Sequence, residues 1–331
     1  MDFRLTDDQE ALRRGTRELM DARFGRDALR RAVDDDSGSP RPDRALWREL
    51  GEAGFFSLAL PEAEGGVGLG LPESVLVLEE AGRALLPGPL VASRLAAGLV
   101  PGAADGTVVV TALELAEGLS ERLAEGPVEH LEAAGRVLVL DGDGPPRTVA
   151  PEALRAEPVR SVDPLSPLHR VTGAVTGTVT GTAEDGEVLE GVDGARLRRE
   201  GALLTAAQQL GSAGRTVEMA VGYAREREQF GQPIGAFQAV KHLCAEMLVR
   251  TETARSVVYA AALTEDEGET AAAKLLADEA AVRNARDCLQ VHGGMGFTWE
   301  ADVHLHLKRA WLRARQWQRV VTAEEKLAAV L

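Results

Sequence analysis

Apolar residues recur at helical spacing over the first hundred residues, between short polar turns. Thr6 precedes Asp7 and Asp8, so its hydroxyl can cap a helix whose first turn is acidic, an arrangement that the helix dipole favours. Further apolar helices are predicted at 46–54, at 74–86 and from Ser93 onwards. Residues 1–100 are therefore predicted to form a helical domain.

Near Pro101 the helical pattern gives way to short runs of β-branched or apolar residues between Gly and Asp. Such runs favour strands, because branched side chains suit a pleated, half-buried surface. The predicted strands lie at 107–111, 136–140 and 171–182, and 184–192 is predicted to be a loop or an edge strand. We therefore predict a small, shortened β domain at 101–194.

From about Ala195 the apolar pattern is helical to the end of the chain. Long helices are predicted at 203–227, 237–264, 270–291 and 302–330. Four long helices of this kind favour a C-terminal four-helix bundle over 195–331. The predicted fold class is mainly α, with a small β domain between an N-terminal helical domain and the bundle.

The balance of charged residues narrows the possible partners. The 331 residues carry a formal net charge of −15, which argues against nucleic acid as a partner. No apolar run approaches the roughly 20 residues of a membrane span, and the acidic first residues lack a signal-peptide core. Cys244 and Cys288 lie in apolar helical contexts, as reduced thiols do. We expect a cytoplasmic protein without membrane contact.

A metal site is not expected. His304 and His306 are two residues apart, so on a helix they point in different directions. The basic residues around them are predicted to form a solvated or interface surface, in preference to a site for CoA phosphates. They are Lys308, Arg309, Arg313, Arg315 and Arg319.

The sequence from 223 to 242, YAREREQFGQPIGAFQAVKH, combines a helix end, an irregular turn and a new helix start. Two glycines loosen the backbone of the turn, and Pro233 removes a hydrogen-bond donor. Arg227, Phe230 and Gln238 surround it. An arginine fork, an aromatic face and an amide together can bind an anion and cover a planar group.

The pattern RxxFGxPIGxFQxxKH, at 227–242, resembles the acyl-CoA dehydrogenase family. A second segment, QVHGGMGF at 290–297, resembles the same family, as do the opening Met1–Thr6 and the stretch 46–90. The resemblance covers nearly the whole chain and is weakest at 101–194. It implies the fold predicted above, FAD as cofactor, an acyl-CoA substrate and an electron-transfer flavoprotein as electron acceptor.

In the family the two segments hold the pyrophosphate and adenosine end of FAD across a subunit interface. The resemblance therefore implies that Arg227 binds the pyrophosphate, Phe230 packs on the cofactor and Gln238 bonds its polar edge. Gln290 and the backbone of Gly293 and Gly294 are implied at the adenosine end.

The resemblance also implies a catalytic glutamate, because the α-proton of the substrate must be removed by a base. The family carries this glutamate at one of two positions, which here hold Trp317 and Gly201. Glu200 is adjacent to the second position, but one residue along a helix turns a side chain by about 100°. Glu200 remains the one candidate base, and no catalytic residue is assigned.

The family's two flavin-ring motifs are not found between Pro101 and Gly194. A chain that keeps the FAD-side segments but lacks the base resembles the base-lacking subunits of actinobacterial heteromeric, steroid-type acyl-CoA dehydrogenases. This resemblance implies a heterotetramer with a second dehydrogenase-like chain that carries the glutamate. Two alternatives remain open: a homomeric dehydrogenase that uses Glu200, and a scaffold subunit without FAD.

Overall fold

The computed structural model of the chain describes residues 4–35, 41–115, 126–141, 144–172 and 186–329. The opening Met1–Phe3, the predicted strand from 173 onwards and the start of the predicted segment 184–192 lie outside these residues. The chain forms two compact units. One comprises Met1–Gly25, Val75–Leu86 and Ala202–Leu331, and the other comprises Arg26–Ser74 and Pro87–Gly201. The predicted domain boundaries at 100 and 194 stay a prediction.

The described residues are mainly helical, and the predicted fold class is confirmed. The helices are α1 Asp7–Arg23, α2 Arg26–Val33, α3 Arg44–Glu52, α4 Leu71–Arg83, α5 Leu90–Ala96, α6 Gly194–Glu226, α7 Gln238–Thr264, α8 Glu267–His292, α9 Val303–Arg313 and α10 Val320–Ala328. None of these helices has the length and apolar composition that crossing a membrane requires.

Short strands make up the sheets. They are β1 Val110–Leu115, β2 Val128–Glu129, β3 Arg136–Asp141, β4 Arg147–Val149, β5 Ala156–Val159, β6 Leu168–Val171, β7 Glu187–Val188, β8 Glu228–Gln229 and β9 Gln232–Pro233. Among the strands of the described residues, β8 and β9 pair with each other and with no third strand. The segment 184–192 thus contributes β7, an edge strand.

Two sheets lie in the second unit. The order β1-β3-β4-β7 forms one sheet, in which β1 and β3 are parallel, and β2-β6-β5 forms the other. Alternate residues of β1 and β3 face a common apolar cluster, as strand periodicity requires. The buried members are Leu113, Leu115, Val128, Leu131, Val137, Val139 and Val149. The prediction of a small β region in the middle of the chain is confirmed.

In the first unit, α1 begins at the predicted cap. The Thr6 hydroxyl accepts a hydrogen bond from the Gln9 N–H at 3.2 Å, and the Gln9 side chain accepts one from the Thr6 N–H at 3.1 Å. This reciprocal arrangement satisfies two backbone donors that the helix itself leaves unpaired. The sequence signal for this helix start is thus confirmed.

Two consecutive carboxylates on α4 join α1 and α7 within the same unit. Glu80 accepts two hydrogen bonds from Arg17, at 2.8 and 2.7 Å. Glu79 accepts hydrogen bonds from Arg255 and, at 2.8 Å, from the Tyr259 hydroxyl. Burial and the neighbouring Glu79 charge raise the pKa of Tyr259 to about 12, so its hydroxyl stays a donor.

The predicted single helix at 302–330 is wrong. It ends with α9 at Arg313, and α10 begins at Val320. Trp317 adopts a φ of 63°, in the left-handed region that cannot continue a right-handed helix. The predicted solvated surface is also wrong for two of its members, because Arg309 and Arg313 are only 2% and 4% exposed.

A charged pair lies in the interior of this unit. Lys274 and Asp278, one turn apart on α8, form an ion pair and are 1% and 4% exposed. Lys274 also donates to the Arg313 carbonyl at 3.1 Å, and Asp278 accepts from the Gln209 amide at 3.0 Å. The pair thereby links α8 to α6 and to the end of α9.

Lys274→Met is expected to destabilise the protein by about 3–5 kcal/mol, because it leaves the Asp278 carboxylate buried without its cation. The double variant Lys274→Met/Asp278→Leu is expected to lose much less, since no charge stays unpaired. Urea unfolding followed by circular dichroism measures both. Equal losses in the single and double variants would contradict the proposed cost of the unpaired carboxylate.

Candidate functional site

The predicted irregular turn after α6 is a tight β-hairpin. The Arg227 N–H donates to the Tyr223 carbonyl at 2.9 Å, and the Ile234 N–H donates to the Arg227 carbonyl at 2.8 Å. Between β8 and β9 only two residues turn the chain, Phe230 with φ 55° and Gly231 with φ 75°. Two positive φ angles suit the twist of a two-residue hairpin. The prediction of a break in the helix is confirmed.

Phe230 is unusual at this position. A large side chain in the left-handed region is strained, and such strain concentrates at functional sites. The ring is 91% exposed, and its described aromatic neighbour is Phe237, edge-on at a centroid distance of 6.0 Å. An aromatic ring held in strain and left in solvent gains nothing from burial within this chain. It is a surface that a planar ligand or a second chain can cover.

The second predicted segment begins where α8 ends. Gly293 has φ 59° and ψ −138°, a conformation open to glycine alone, and it starts a short 3-10 helix at 293–297. Apart from the adjacent residues and the backbone of the same helix, no described atom lies within 4 Å of a Cβ built on Gly293 or Gly294. The backbone is therefore open to a ligand on this side. Met295, Phe297 and Trp299 are 53%, 78% and 47% exposed beside it.

The two segments meet at one end of the first unit. The rings of Tyr223, near the end of α6, and His292, at the end of α8, stack at a centroid distance of 4.2 Å and an angle of 20°. His292 Nδ1 donates to the Cys288 carbonyl at 2.8 Å, which fixes the ring. A buried apolar cluster supports this contact. It comprises Ala220, Ala224, Met247, Ala285, Cys288, Leu289, Val291, Val303 and Leu307.

The polar side chains at this end are available for a ligand. Arg227, Gln238 and Gln290 are exposed, and they make no side-chain hydrogen bond or ion pair with the described residues. A guanidinium, two amides and an open glycine backbone are together groups that can hold a pyrophosphate and the polar edges of a nucleotide. The chemistry of these residues suits the pyrophosphate and adenosine end of FAD, and the role of each residue stays a prediction.

Glu200, the candidate base, lies in the first two turns of α6. Its carboxylate accepts a hydrogen bond from Arg196 Nε at 2.8 Å, and the side chain is 12% exposed. The neighbouring Gly201 is buried and offers no functional group. Trp317 lies in the turn between α9 and α10. The positions that correspond to the family's glutamate thus hold a glycine and a tryptophan, beside one carboxylate that is already paired.

Sequence reasoning missed the exposed apolar residues of the second segment, Met295, Phe297 and Trp299. Met295 and Phe297 belong to the quoted pattern and Trp299 follows it, but a pattern alone does not show which side chains point outward. Trp299 also stacks on His304 at 5.1 Å and lies under Lys308 Nζ at 4.9 Å. His304 therefore packs against Trp299.

Comparison with known proteins gives two matching family models. The acyl-CoA dehydrogenase N-terminal domain matches residues 6–105, and the acyl-CoA dehydrogenase C-terminal domain matches residues 197–317. FAD complexes occur among solved structures of this fold. The predicted cofactor, FAD, is confirmed by the family.

The chain is similar to the acyl-CoA dehydrogenase IpdE2 of Mycobacterium tuberculosis, with 34% identity over 313 residues that cover 92% of this chain and 91% of that protein. The ChsE4-ChsE5 complex from Mycobacterium tuberculosis contains a chain with a TM-score of 0.80 and 26% identity, covering 100% of this chain and 98% of that one.

A chain of the Tcur3481-Tcur3483 steroid acyl-CoA dehydrogenase has a TM-score of 0.79 at 23% identity, covering 98% of this chain and 97% of that one. This last likeness shows the fold alone. The two family models, in the expected order, and a relative that matches almost end to end lead to one conclusion: the chain belongs to the acyl-CoA dehydrogenase family.

Proposed function

We propose that this chain is a subunit of a heteromeric, FAD-dependent acyl-CoA dehydrogenase, in which it completes the FAD site of a catalytic partner chain. The observation that carries the proposal is the set of unpaired polar groups and the strained, exposed Phe230 at one end of α6, α7 and α8.

In the proposed site, Arg227 binds the FAD pyrophosphate, Phe230 packs on the cofactor and Gln238 bonds its polar edge. Gln290 and the backbone of Gly293 and Gly294 line the adenosine end. FAD supplies the acceptor for the β-hydrogen that leaves the substrate as hydride. The residues of this chain bind and orient that cofactor, and they do not touch the reacting carbon.

The base is proposed to come from the partner chain. Desaturation of an acyl-CoA needs a carboxylate at the α-carbon, and the two family positions here hold Trp317 and Gly201. Glu200 is a poor substitute because Arg196 already occupies one of its carboxylate oxygens. We therefore assign no catalytic residue to this chain.

The partner is proposed to be a second acyl-CoA dehydrogenase-like chain, and the two chains are proposed to form a heterotetramer in the cytoplasm. This complex is proposed to pass its electrons to electron-transfer flavoprotein. Support comes from the similarity to a chain of the ChsE4-ChsE5 complex. A steroid-derived acyl-CoA is the proposed substrate, because the sequence resembles the base-lacking subunits of steroid-type acyl-CoA dehydrogenases. The proposed biological role is lipid degradation, and more specifically steroid catabolism.

Arg227→Ala in the co-purified complex is expected to shed flavin, because a lost charge-assisted contact costs roughly 1.5–3 kcal/mol, or about ten- to a hundredfold in affinity. Flavin absorbance after extensive dialysis measures the loss, and excess FAD is expected to restore part of the activity. Arg225→Ala, an exposed arginine two residues earlier, is the matched control. Equal flavin retention in both variants would refute the proposed role of Arg227.

Phe230→Asn is expected to keep or raise stability while it weakens flavin retention. Asparagine tolerates the left-handed conformation better than phenylalanine, so strain of about 1 kcal/mol is relieved as the stacking surface disappears. Thermal unfolding and flavin content, measured on the same preparation, test the two effects. Val321→Ala, which trims another exposed apolar side chain, controls for loss of surface area. A variant that loses stability and keeps its flavin would show that the ring serves packing.

A further inference from the structure

The ring of His292, the last residue of α8, has one nitrogen in use and one nitrogen unused. Nδ1 donates a hydrogen bond to the Cys288 carbonyl at 2.8 Å, since a carbonyl oxygen can only accept. Nδ1 therefore carries the proton of the neutral ring, and Nε2 carries a lone pair. Stacking on Tyr223 at 4.2 Å fixes the plane of the ring. His292 thus holds a hydrogen-bond acceptor in a set direction.

The thiol beside this ring does not displace the proton from Nδ1. Cys288 Sγ lies 3.7 Å from Nδ1. Burial raises the pKa of the Cys288 thiol to about 12, so the sulfur is uncharged at neutral pH. An uncharged thiol is only a weak acceptor, and the carbonyl of the same residue stays the partner of Nδ1.

Nε2 of His292 makes no hydrogen bond with the residues that the structure describes. It is also not among the described side-chain atoms that are both unpartnered and sealed from solvent, although the ring is half-buried. Because the two nitrogens lie on different sides of the ring, Nε2 is directed away from the turn of α8 that contains Cys288. The acceptor is therefore open to a ligand.

This acceptor is flanked by groups from both of the segments assigned to FAD. Gly293, with its open backbone, is the next residue in the chain, and Gln290 lies two residues earlier. The stacking partner Tyr223 accepts a hydrogen bond at its carbonyl from the Arg227 N–H at 2.9 Å. The His292 ring thus lies between the end of α8 and the turn of α6 that leads into Arg227.

We propose that His292 Nε2 accepts a hydrogen bond from an O–H or N–H group of the adenosine part of FAD. The inference rests on the proposed function, because that function places the adenosine end beside Gly293. Pyrophosphate oxygens are acceptors, so a ring nitrogen that carries only a lone pair cannot bind them. The ribose hydroxyls and the adenine amine are donors, and they are the groups that this nitrogen can recognise.

Two substitutions separate the binding role of His292 from packing. His292→Phe keeps a ring that stacks on Tyr223 and removes Nε2. It is expected to melt near the natural temperature and to retain flavin about three- to tenfold more weakly. His292→Gln loses the stack and keeps an acceptor oxygen, so it is expected to melt at a lower temperature and to retain flavin better than His292→Phe.

Thermal unfolding and flavin absorbance after dialysis, measured on the same preparations, test this opposite order. His304→Phe is the matched control, because His304 also stacks on an aromatic ring, that of Trp299. This control is expected to keep its flavin. If flavin retention follows the melting temperature in both His292 variants, the ring serves packing and the proposal is overturned.

Nucleotides identify the donor group. Calorimetry on the flavin-stripped protein compares ADP with inosine diphosphate, which lacks the amine, and with 2′,3′-dideoxyadenosine diphosphate, which lacks the ribose hydroxyls. ADP is expected to bind about threefold or more tightly than one of these analogues, and that analogue names the donor. His292→Phe is expected to abolish the preference. Equal binding of all three by the natural protein, or a preference that survives in His292→Phe, would overturn the proposal.

Arg227→Ala, measured beside these variants, distinguishes this inference from the proposed function. If Arg227→Ala sheds flavin while His292→Phe keeps it, the His292 contact is refuted and the cofactor role of the chain stands. If Arg227→Ala also keeps its flavin, the proposed function itself fails.

Discussion

The contact between the ends of α6 and α8 is the constraint on which the candidate site depends. Tyr223 stacks on His292 at 4.2 Å, over a cluster of small apolar side chains. Because this contact joins α6 and α8 near their ends, the hairpin that follows α6 and the glycine turn that follows α8 lie at the same end of the unit. The Arg227 guanidinium and the Gln290 amide are more than sixty residues apart in the sequence. The fold nevertheless places both at this end of the unit.

The chain keeps the groups expected to bind the cofactor but lacks the expected catalytic base. The groups that would hold a cofactor are exposed and unpaired, and Phe230 is kept in a strained conformation. The positions that would supply a base hold residues without a carboxylate, and the adjacent Glu200 is held by Arg196. Strain and unpaired polar groups persist where a ligand or partner compensates them. The presence of cofactor-binding groups without a base is the physical reason to place the flavin ring and the base in another chain.

Local signals in the sequence predicted much of the fold, because caps, glycines and apolar periods act over a few residues. The Thr6 cap, the break at Phe230 and the long helices α6 to α8 follow from such signals. The break at Trp317 does not, since a tryptophan at positive φ depends on its surroundings. Burial of Arg309 was also beyond local reasoning, because it depends on the packing of the whole unit.

The flavin content of the chain purified alone, and again with a glutamate-bearing homologue, tests the central claim most directly. The account predicts little flavin and no dye reduction by acyl-CoA for the single chain. It predicts a yellow, active complex once the second chain is present. A single chain that holds one FAD per copy and reduces dye at rates typical of the family would contradict the account, and Glu200→Gln would then show whether this carboxylate is the base.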